Sequence, residues 1–207
     1  MTVVGVAGTG TDIGKTWVTA ACARILRTRG VEVAARKPAQ SFTEGDTTDA
    51  EVLAEATSED PHTVCPAHRW FAIPMAPPMA AAALGQPGFT VATLVDETAV
   101  PDTGVTFVET AGGLRSPIAT DGDCVSYLTS LRPAAVLLVA DAGLGTINLV
   151  RLSVDALPGQ RVVVYLNRFD GTDDLHRRNA DWLRNEEGLE IVTDPEALAD
   201  TFAQLLA

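Results

Sequence analysis

The chain has 207 residues, 46% of them hydrophobic, with a formal net charge of −12; this length and apolar content suit one domain with a sizeable core. The negative charge argues against non-specific nucleic-acid binding, which depends on Lys and Arg, and no apolar run is long and uninterrupted enough to span a bilayer. Cys22, Cys65 and Cys124 are far apart and form no CxxC pair, and His62, His68 and His176 have no metal-ligand spacing, so neither a disulfide framework nor a zinc site is indicated.

Residues 2–7 are short and apolar, as in a central parallel strand buried on both faces. No basic region precedes them, so a signal peptide is not expected and a cytoplasmic location is. Residues 15–28 predict a helix, with Val18, Ala21, Cys22, Ile25 and Leu26 at helical spacing and Gly30 ending it. A strand is expected over 31–35 and a helix over 49–57. His62, Cys65 and His68 read as part of a solvated loop. The stretch 73–78 reads as a Pro- and Met-rich loop running into a short helix. Further helices are expected over 90–98, within 122–131, and over 148–156, 175–185 and 195–206. Strands are expected over 105–109, 134–140 and 161–166. Alternating strands and helices imply a single doubly wound α/β domain, its mainly parallel sheet flanked by helices. Ligands of such sheets sit at the C-terminal ends of strands.

The strongest motif lies at the first strand end. Gly8-Thr9-Gly10-Thr11-Asp12-Ile13-Gly14-Lys15-Thr16 joins a buried strand to a helix, the context of a phosphate-binding loop. Glycines let backbone N–H groups face phosphate oxygens, and the helix adds the positive end of its dipole. Lys15 can reach the β- and γ-phosphates and the Thr16 hydroxyl can ligate Mg2+. The strict GxxxxGK[ST] spacing is not met, because position 9 is Thr; the loop is one residue longer.

The chain has only two lysines, Lys15 and Lys37, against thirteen arginines. Lys supplies a compact point charge where Arg supplies a wide planar fork. Lys37 ends the second strand in Lys37-Pro38-Ala39-Gln40-Ser41; it either faces the phosphate loop or is a solvated strand-end residue. Glu109 ends a strand and precedes Thr110-Ala111-Gly112-Gly113, where a carboxylate can hold Mg2+. Asp49 opens a helix and is either a second Mg2+ ligand or an N-cap. Gly143-Leu144-Gly145-Thr146-Ile147-Asn148 is a glycine-rich turn whose N–H groups could hold a carboxylate, or a plain strand-to-helix turn. Asn167 ends a strand and either meets a nucleobase edge or is a turn residue.

In order along the chain, GTGTDIGKT, RKPAQS, TTDAEVL, IPMAPPMAA, VETAGG, GLGTIN and YLNR resemble the motifs of the dethiobiotin synthetases, phosphate-loop NTPases that use ATP to make a cyclic urea. The resemblance covers most of the chain from Gly8 to Asn167. It implies ATP, 7,8-diaminononanoate and CO2 as substrates, Mg2+ as cofactor, and a homodimer. Gly8, Gly10, Thr11, Asp12, Ile13, Gly14, Lys15 and Thr16 would hold the nucleotide phosphates, with Asn167 on the base. Lys15, Lys37, Thr11, Asp12 and Ser41 would surround the reacting groups. Thr16, Asp49 and Glu109 would hold Mg2+, which favours the ligand reading of Asp49. Ser41 and Gly112 would contact the diamine, and Gly145, Thr146 and Asn148 of a partner subunit its carboxylate.

Three features depart from the family pattern. Thr110 replaces a Gly, and a β-branched residue there is expected to resist positive φ and crowd the metal carboxylate. Asp12 replaces a Glu of some members. The segment 188–194 lacks a Pro that many members carry. Two other classes are disfavoured. Cobyrinate-type amide synthases carry an extra glutaminase domain, for which the chain has no room. Partitioning-type ATPases carry a signature Lys near the loop start, where this chain has Gly8, Thr9 and Gly10.

Overall fold

Strands and helices alternate from the first residues onward. The computed structural model describes residues 1–102 and 104–206. β1 (Thr2–Gly8) leads through the glycine-rich loop into α1 (Lys15–Thr28), followed by β2 (Val33–Arg36), the short β3 (Gln40–Ser41) and α2 (Asp49–Thr57). A middle segment holds α3 (Pro61–Val64), β4 (Trp70–Phe71), α4 (Pro77–Ala83) and α5 (Val91–Glu97). Then come β5 (Val105–Glu109), β6 (Pro117–Ala119), β7 (Gly122–Asp123), α6 (Cys124–Leu131), β8 (Ala135–Asp141) and α7 (Thr146–Asp155). β9 (Val162–Asn167), α8 (Asp174–Asn185), β10 (Glu190–Val192) and α9 (Pro195–Ala203) follow.

The main sheet runs β10-β9-β8-β1-β5-β2, and all its pairings are parallel. Alternate side chains of a strand point to opposite faces. Val4, Val6, Phe107, Leu137 and Val139 therefore pack on one face with Val18, Cys22 and Leu26 of α1 and Phe202 of α9. Ala7, Val136, Leu138 and Leu166 pack on the other with Leu128, Val150 and Leu183 of α6, α7 and α8. Helices cover both faces, as the doubly wound expectation requires. β1 has β5 and β2 on one side and β8, β9 and β10 on the other, so its C-terminal loop opens where the winding changes direction.

Phe107 is fully buried and meets Phe202 edge-on at 5.6 Å between ring centroids. Phe107→Ala should cost about 3–5 kcal/mol, because the cavity adds to the lost transfer energy; urea denaturation of the two proteins measures it.

Two features differ from the sequence expectation in instructive ways. The second strand begins at Val33 rather than Val31, because residues 30 and 31 finish the preceding helix. Gly30 (φ 80°) donates to the Arg27 carbonyl and Val31 to that of Leu26, which is a Schellman closure. The stretch around His62, Cys65 and His68 is not a solvated loop. Asp60 caps α3 through the His62 N–H, Pro61 starts the helix, and Cys65 is buried, although both histidines remain exposed. Boundaries also move elsewhere: α7 starts at Thr146, two residues before the expected 148, and the last α-helix ends at Ala203 before a 3-10 turn over Gln204–Leu206.

All three thiols are buried. Burial pushes Cys22 and Cys65 up to about 12 and Cys124 to about 11. The thiolate is the reactive form, so a thiol-reactive disulfide reagent at pH 8 should label none of them until the protein is unfolded.

Candidate active site

The loop after β1 has the shape of a phosphate cradle for reasons that lie in its glycines and in β9. Gly14 takes φ 92°, and a Cβ there would lie 2.2 Å from the Asn167 side-chain nitrogen. A Cβ on Gly8 would meet Ile13 at 2.6 Å. Asn167 Nδ2 donates to the Ile13 carbonyl at 2.8 Å, and Arg168 donates to that of Asp12 at 2.9 Å while pairing with Asp141. The end of β9 thus clamps the loop from below. Among the described residues no side chain caps the start of α1, so its first N–H groups are left for an anion. Thr11 and Asp12 stand exposed at the crest, Asp12 at φ 57°. Lys15 folds over the loop and its Nζ donates to the Gly10 carbonyl at 3.1 Å.

Beneath the loop, four side chains converge: Thr16 of α1, Asp49 of α2, Glu109 of β5 and Lys37, the residue after β2. The Thr16 hydroxyl lies 2.8 Å from Asp49 Oδ1 and 2.8 Å from Glu109 Oε1. Lys37 Nζ donates to Asp49 Oδ2 at 2.5 Å and to Glu109 Oε1 at 2.7 Å. Lys37 is only 2% exposed and Glu109 is fully buried, so the solvated reading of Lys37 is wrong. The N-cap reading of Asp49 also fails. Thr48 is the N-cap of α2, in a capping box with Glu51, which leaves Asp49 at the first helical position with its carboxylate on Thr16 and Lys37.

The electrostatics follow from this packing. Burial drives the Lys37 ammonium down, but Glu109 and Asp49 more than offset it, and its pKa lies above the ordinary Lys value. Burial raises Asp49, yet Lys37 and Thr16 hold its carboxyl below the ordinary Asp value. Lys15 is lowered, first by burial and then by the charge of Lys37.

Glu109 Oε2 is buried with no hydrogen-bond partner among the described residues. An unpaired carboxylate oxygen beside a hydroxyl and a second carboxylate is a hard oxygen donor set, which fits Mg2+. Among the described residues no group of three or more His, Cys, Asp or Glu could cage a metal.

Thr110 does not crowd this cluster. It is not at positive φ among the described residues. Its N–H and hydroxyl both donate to the Val6 carbonyl, at 2.9 and 3.0 Å, so the side chain points into the β1–β5 interface. Thr110→Val should cost about 1 kcal/mol from the lost hydroxyl bond and leave kcat within about threefold; denaturation and a turnover assay together check it.

The loop and cluster open into a cleft of about 890 Å³, within the range of small-ligand sites. Thr11, Asp12, Lys15, Lys37, Ser41, Asp49 and Gly112 line it. Ser41 Oγ donates to the Met75 carbonyl at 2.5 Å, tying β3 to the Pro- and Met-rich segment that forms one wall. Gly145, Thr146 and Asn148 do not line the cleft; they lie at the start of α7, beyond β8. Three further residues at the site, Gln40, Trp17 and Arg168, lie outside the sequence-based expectation. Gln40 caps α2 through the Ala50 N–H, and Trp17 stands 57% exposed on the cleft wall. Gln40 and Arg168 fall inside the KPAQS and YLNR segments, which was the available signal; Trp17 had none beyond adjacency to Thr16.

A parallel doubly wound sheet whose first strand ends in this loop, above a Thr and two carboxylates, defines a phosphate-loop nucleotide-binding protein. A family model described as an AAA domain matches residues 2–192. The chain is 39% identical over 165 residues to an ATP-dependent dethiobiotin synthetase of Mycolicibacterium vanbaalenii, covering 78% of this chain and 71% of the relative. It is 37% identical over 201 residues to an ATP-dependent dethiobiotin synthetase of Haloferax mediterranei, covering 92% and 82%. The chain belongs to the dethiobiotin synthetase family. The fold is also shared with chloroplast FtsY of Physcomitrella patens (TM-score 0.57, 18% identity, 97% of this chain and 64% of that one). FtsY of Elizabethkingia anophelis in complex with GDP gives a TM-score of 0.58 at 16% identity, over 97% and 63%. The likeness to these longer chains is one of fold alone.

Proposed function

We propose that this chain converts 7,8-diaminononanoate, CO2 and ATP into dethiobiotin, ADP and phosphate, with Mg2+ as cofactor. The observation that carries the reading is the convergence of both lysines of the chain on one cleft beside Thr16, Asp49 and Glu109. An amine of the substrate adds to CO2 and loses a proton, giving a carbamate. A carbamate oxygen attacks the γ-phosphorus, and the bond from that phosphorus to the bridging oxygen of ADP breaks. The second amine then attacks the carbonyl carbon of the mixed anhydride; the carbon–oxygen bond to phosphate breaks, a proton leaves and the cyclic urea closes.

Each residue has a task in this scheme. Lys15 and Lys37 place two ammoniums where negative charge moves from carbamate to phosphoryl group, and preorganised charge in a buried site is the strongest form of such stabilisation. The N–H groups of the loop from Gly8 to Thr16 hold the phosphates. Thr16, Asp49 and Glu109 would hold Mg2+, which would supply counter-charge to the nucleotide phosphates. Thr11, Asp12, Ser41 and Gly112 orient the diamine end. Asn167 spends one amide proton on Ile13; its other proton and its carbonyl oxygen serve the nucleobase.

The carboxylate end of the substrate is received by Gly145, Thr146 and Asn148 of a second copy. Supporting this, Leu144 is 90% and Leu152 62% exposed on the same turn and helix as Asn148, an apolar strip suited to burial in a homodimer. Among the described residues no helix is long and apolar enough to cross a membrane. We assign the reaction to the cytoplasm, which supplies ATP and Mg2+.

The test is incubation with Mg2+, ATP, 7,8-diaminononanoate and carbon-13 bicarbonate. Heavy dethiobiotin that requires all four supports the reading. ATP hydrolysis that ignores the diamine and yields no dethiobiotin would refute it.

A further inference from the structure

Lys37 sits in the place that its neighbours offer to a metal. Its Nζ contacts both carboxylates, on Asp49 Oδ2 and Glu109 Oε1, and the Thr16 hydroxyl contacts the same two residues on Asp49 Oδ1 and Glu109 Oε1. The cluster is buried at its base and open on the Asp49 side: Lys37 is 2% exposed and Glu109 Oε2 is buried with no hydrogen-bond partner among the described residues, whereas the Asp49 side chain is 45% exposed to the cleft. A divalent ion held by both carboxylates and Thr16 would have to share Asp49 and Glu109 with this ammonium and would lie within a few ångströms of it. Two cations within a few ångströms of each other in a low-dielectric site repel strongly.

We propose that the Lys37 ammonium is an internal stand-in for the metal, and that metal entry expels it from the Asp49–Glu109 pair and turns it toward the reacting groups in the cleft. This rests on the metal ligands assigned above and adds to them a coupling: the residue that serves the carbamate becomes free only when the metal is loaded.

Charge accounts for the order of events. With Lys15 included, the two ammoniums and the two carboxylates cancel, so the cluster is neutral without metal. A bare divalent ion would leave it with two excess positive charges. The same ion arriving with a nucleotide comes with that nucleotide's negative charge; Lys15 then faces the phosphate oxygens, and the displaced Lys37 turns into the cleft. Metal therefore enters with the nucleotide, and the buried Glu109 is never left without a counter-ion.

Two measurements test this, and neither uses turnover. The first is Mn2+ binding to nucleotide-free protein, followed by its paramagnetic resonance signal. Lys37→Met removes the competing charge while keeping a buried side chain of similar length. It should bind Mn2+ at least about tenfold more tightly than wild type; equal or weaker binding overturns the proposal. The second needs no substitution at Lys37. With only two lysines in the chain, lysine-selective nitrogen-15 labelling gives two side-chain ammonium signals, assigned with Lys15→Arg. ADP with a chelator should leave the Lys37 signal in place, and ADP with Mg2+ should move it. A Lys37 signal that stays put while that of Lys15 shifts on binding Mg2+ and ADP would overturn the proposal. Neither readout needs the diamine, so failure of the dethiobiotin reaction would remove the substrate assignment and leave these outcomes standing.

Discussion

Lys37→Ala stops turnover, with kcat falling by at least about 10²–10³, and does not weaken nucleotide binding. The reasoning is one of differential binding. Lys37 is paired with Asp49 and Glu109 in the resting protein, so it contributes little to holding the ground-state nucleotide. Its charge matters once negative charge develops on the carbamate and the transferring phosphoryl group. Interactions made only then lower kcat without altering affinity. Turnover assays and calorimetric titration with Mg2+ and ADP give the two numbers. An unchanged kcat would remove Lys37 from the chemistry, whereas a large loss of affinity would make it a nucleotide ligand. Circular dichroism should accompany both, because Ala leaves the fully buried Glu109 without its ammonium partner.

Glu109→Gln acts on the other side of the same contact. The amide is nearly the shape of the carboxylate but carries no charge, so it weakens both the hold on Mg2+ and the pairing with Lys37. Activity should fall by about 10²–10³ at saturating Mg2+, and half-saturation should move to higher Mg2+. A titration that overlays the wild-type curve would mean that Glu109 is not a ligand. Because Lys37 and Glu109 touch at 2.7 Å, the two substitutions share one interaction, and the double variant should lose less than the sum of the separate effects.

What could be seen in the sequence divides along the range of the interactions. The loop from Gly8 to Thr16 and the helix over 15–28 were legible because local rules define them: a buried strand, glycines, a helix start and a glycine closure at Gly30. The doubly wound class followed from alternation. The middle segment from Pro61 to Phe71 is poorly legible, because α3 is a single turn, too short to show a period, and the burial of Cys65 comes from packing against Ala35 and α2. Asp49 shows the same limit within one residue. A residue at a helix start caps or ligates according to one step of register, and here Thr48 takes the cap.

Thr110 shows what a motif comparison misses. Substituting a Gly by a β-branched residue suggested crowding, but the side chain faces Val6 and not the metal cluster; strand register, not residue type, decides it. The mutual burial of Lys37 and Glu109 was likewise invisible. Each was recognisable as a strand-end residue, but contact between them requires β2 and β5 to be neighbours. Gln40 and Arg168 act through backbone contacts, to Ala50 and Asp12, that no motif records.

The most direct test of the central claim follows the oxygen. In the scheme above, the phosphate released takes one oxygen from the carbamate, because the carbon–oxygen bond of the mixed anhydride breaks as the ring closes. With oxygen-18 bicarbonate, a rapid quench before exchange with water, and mass analysis of inorganic phosphate, one heavy oxygen should appear in phosphate for each dethiobiotin formed. Phosphate carrying no label alongside dethiobiotin would mean that the carbamate oxygen is never phosphorylated, and the roles given to Lys15 and Lys37 would fall with it.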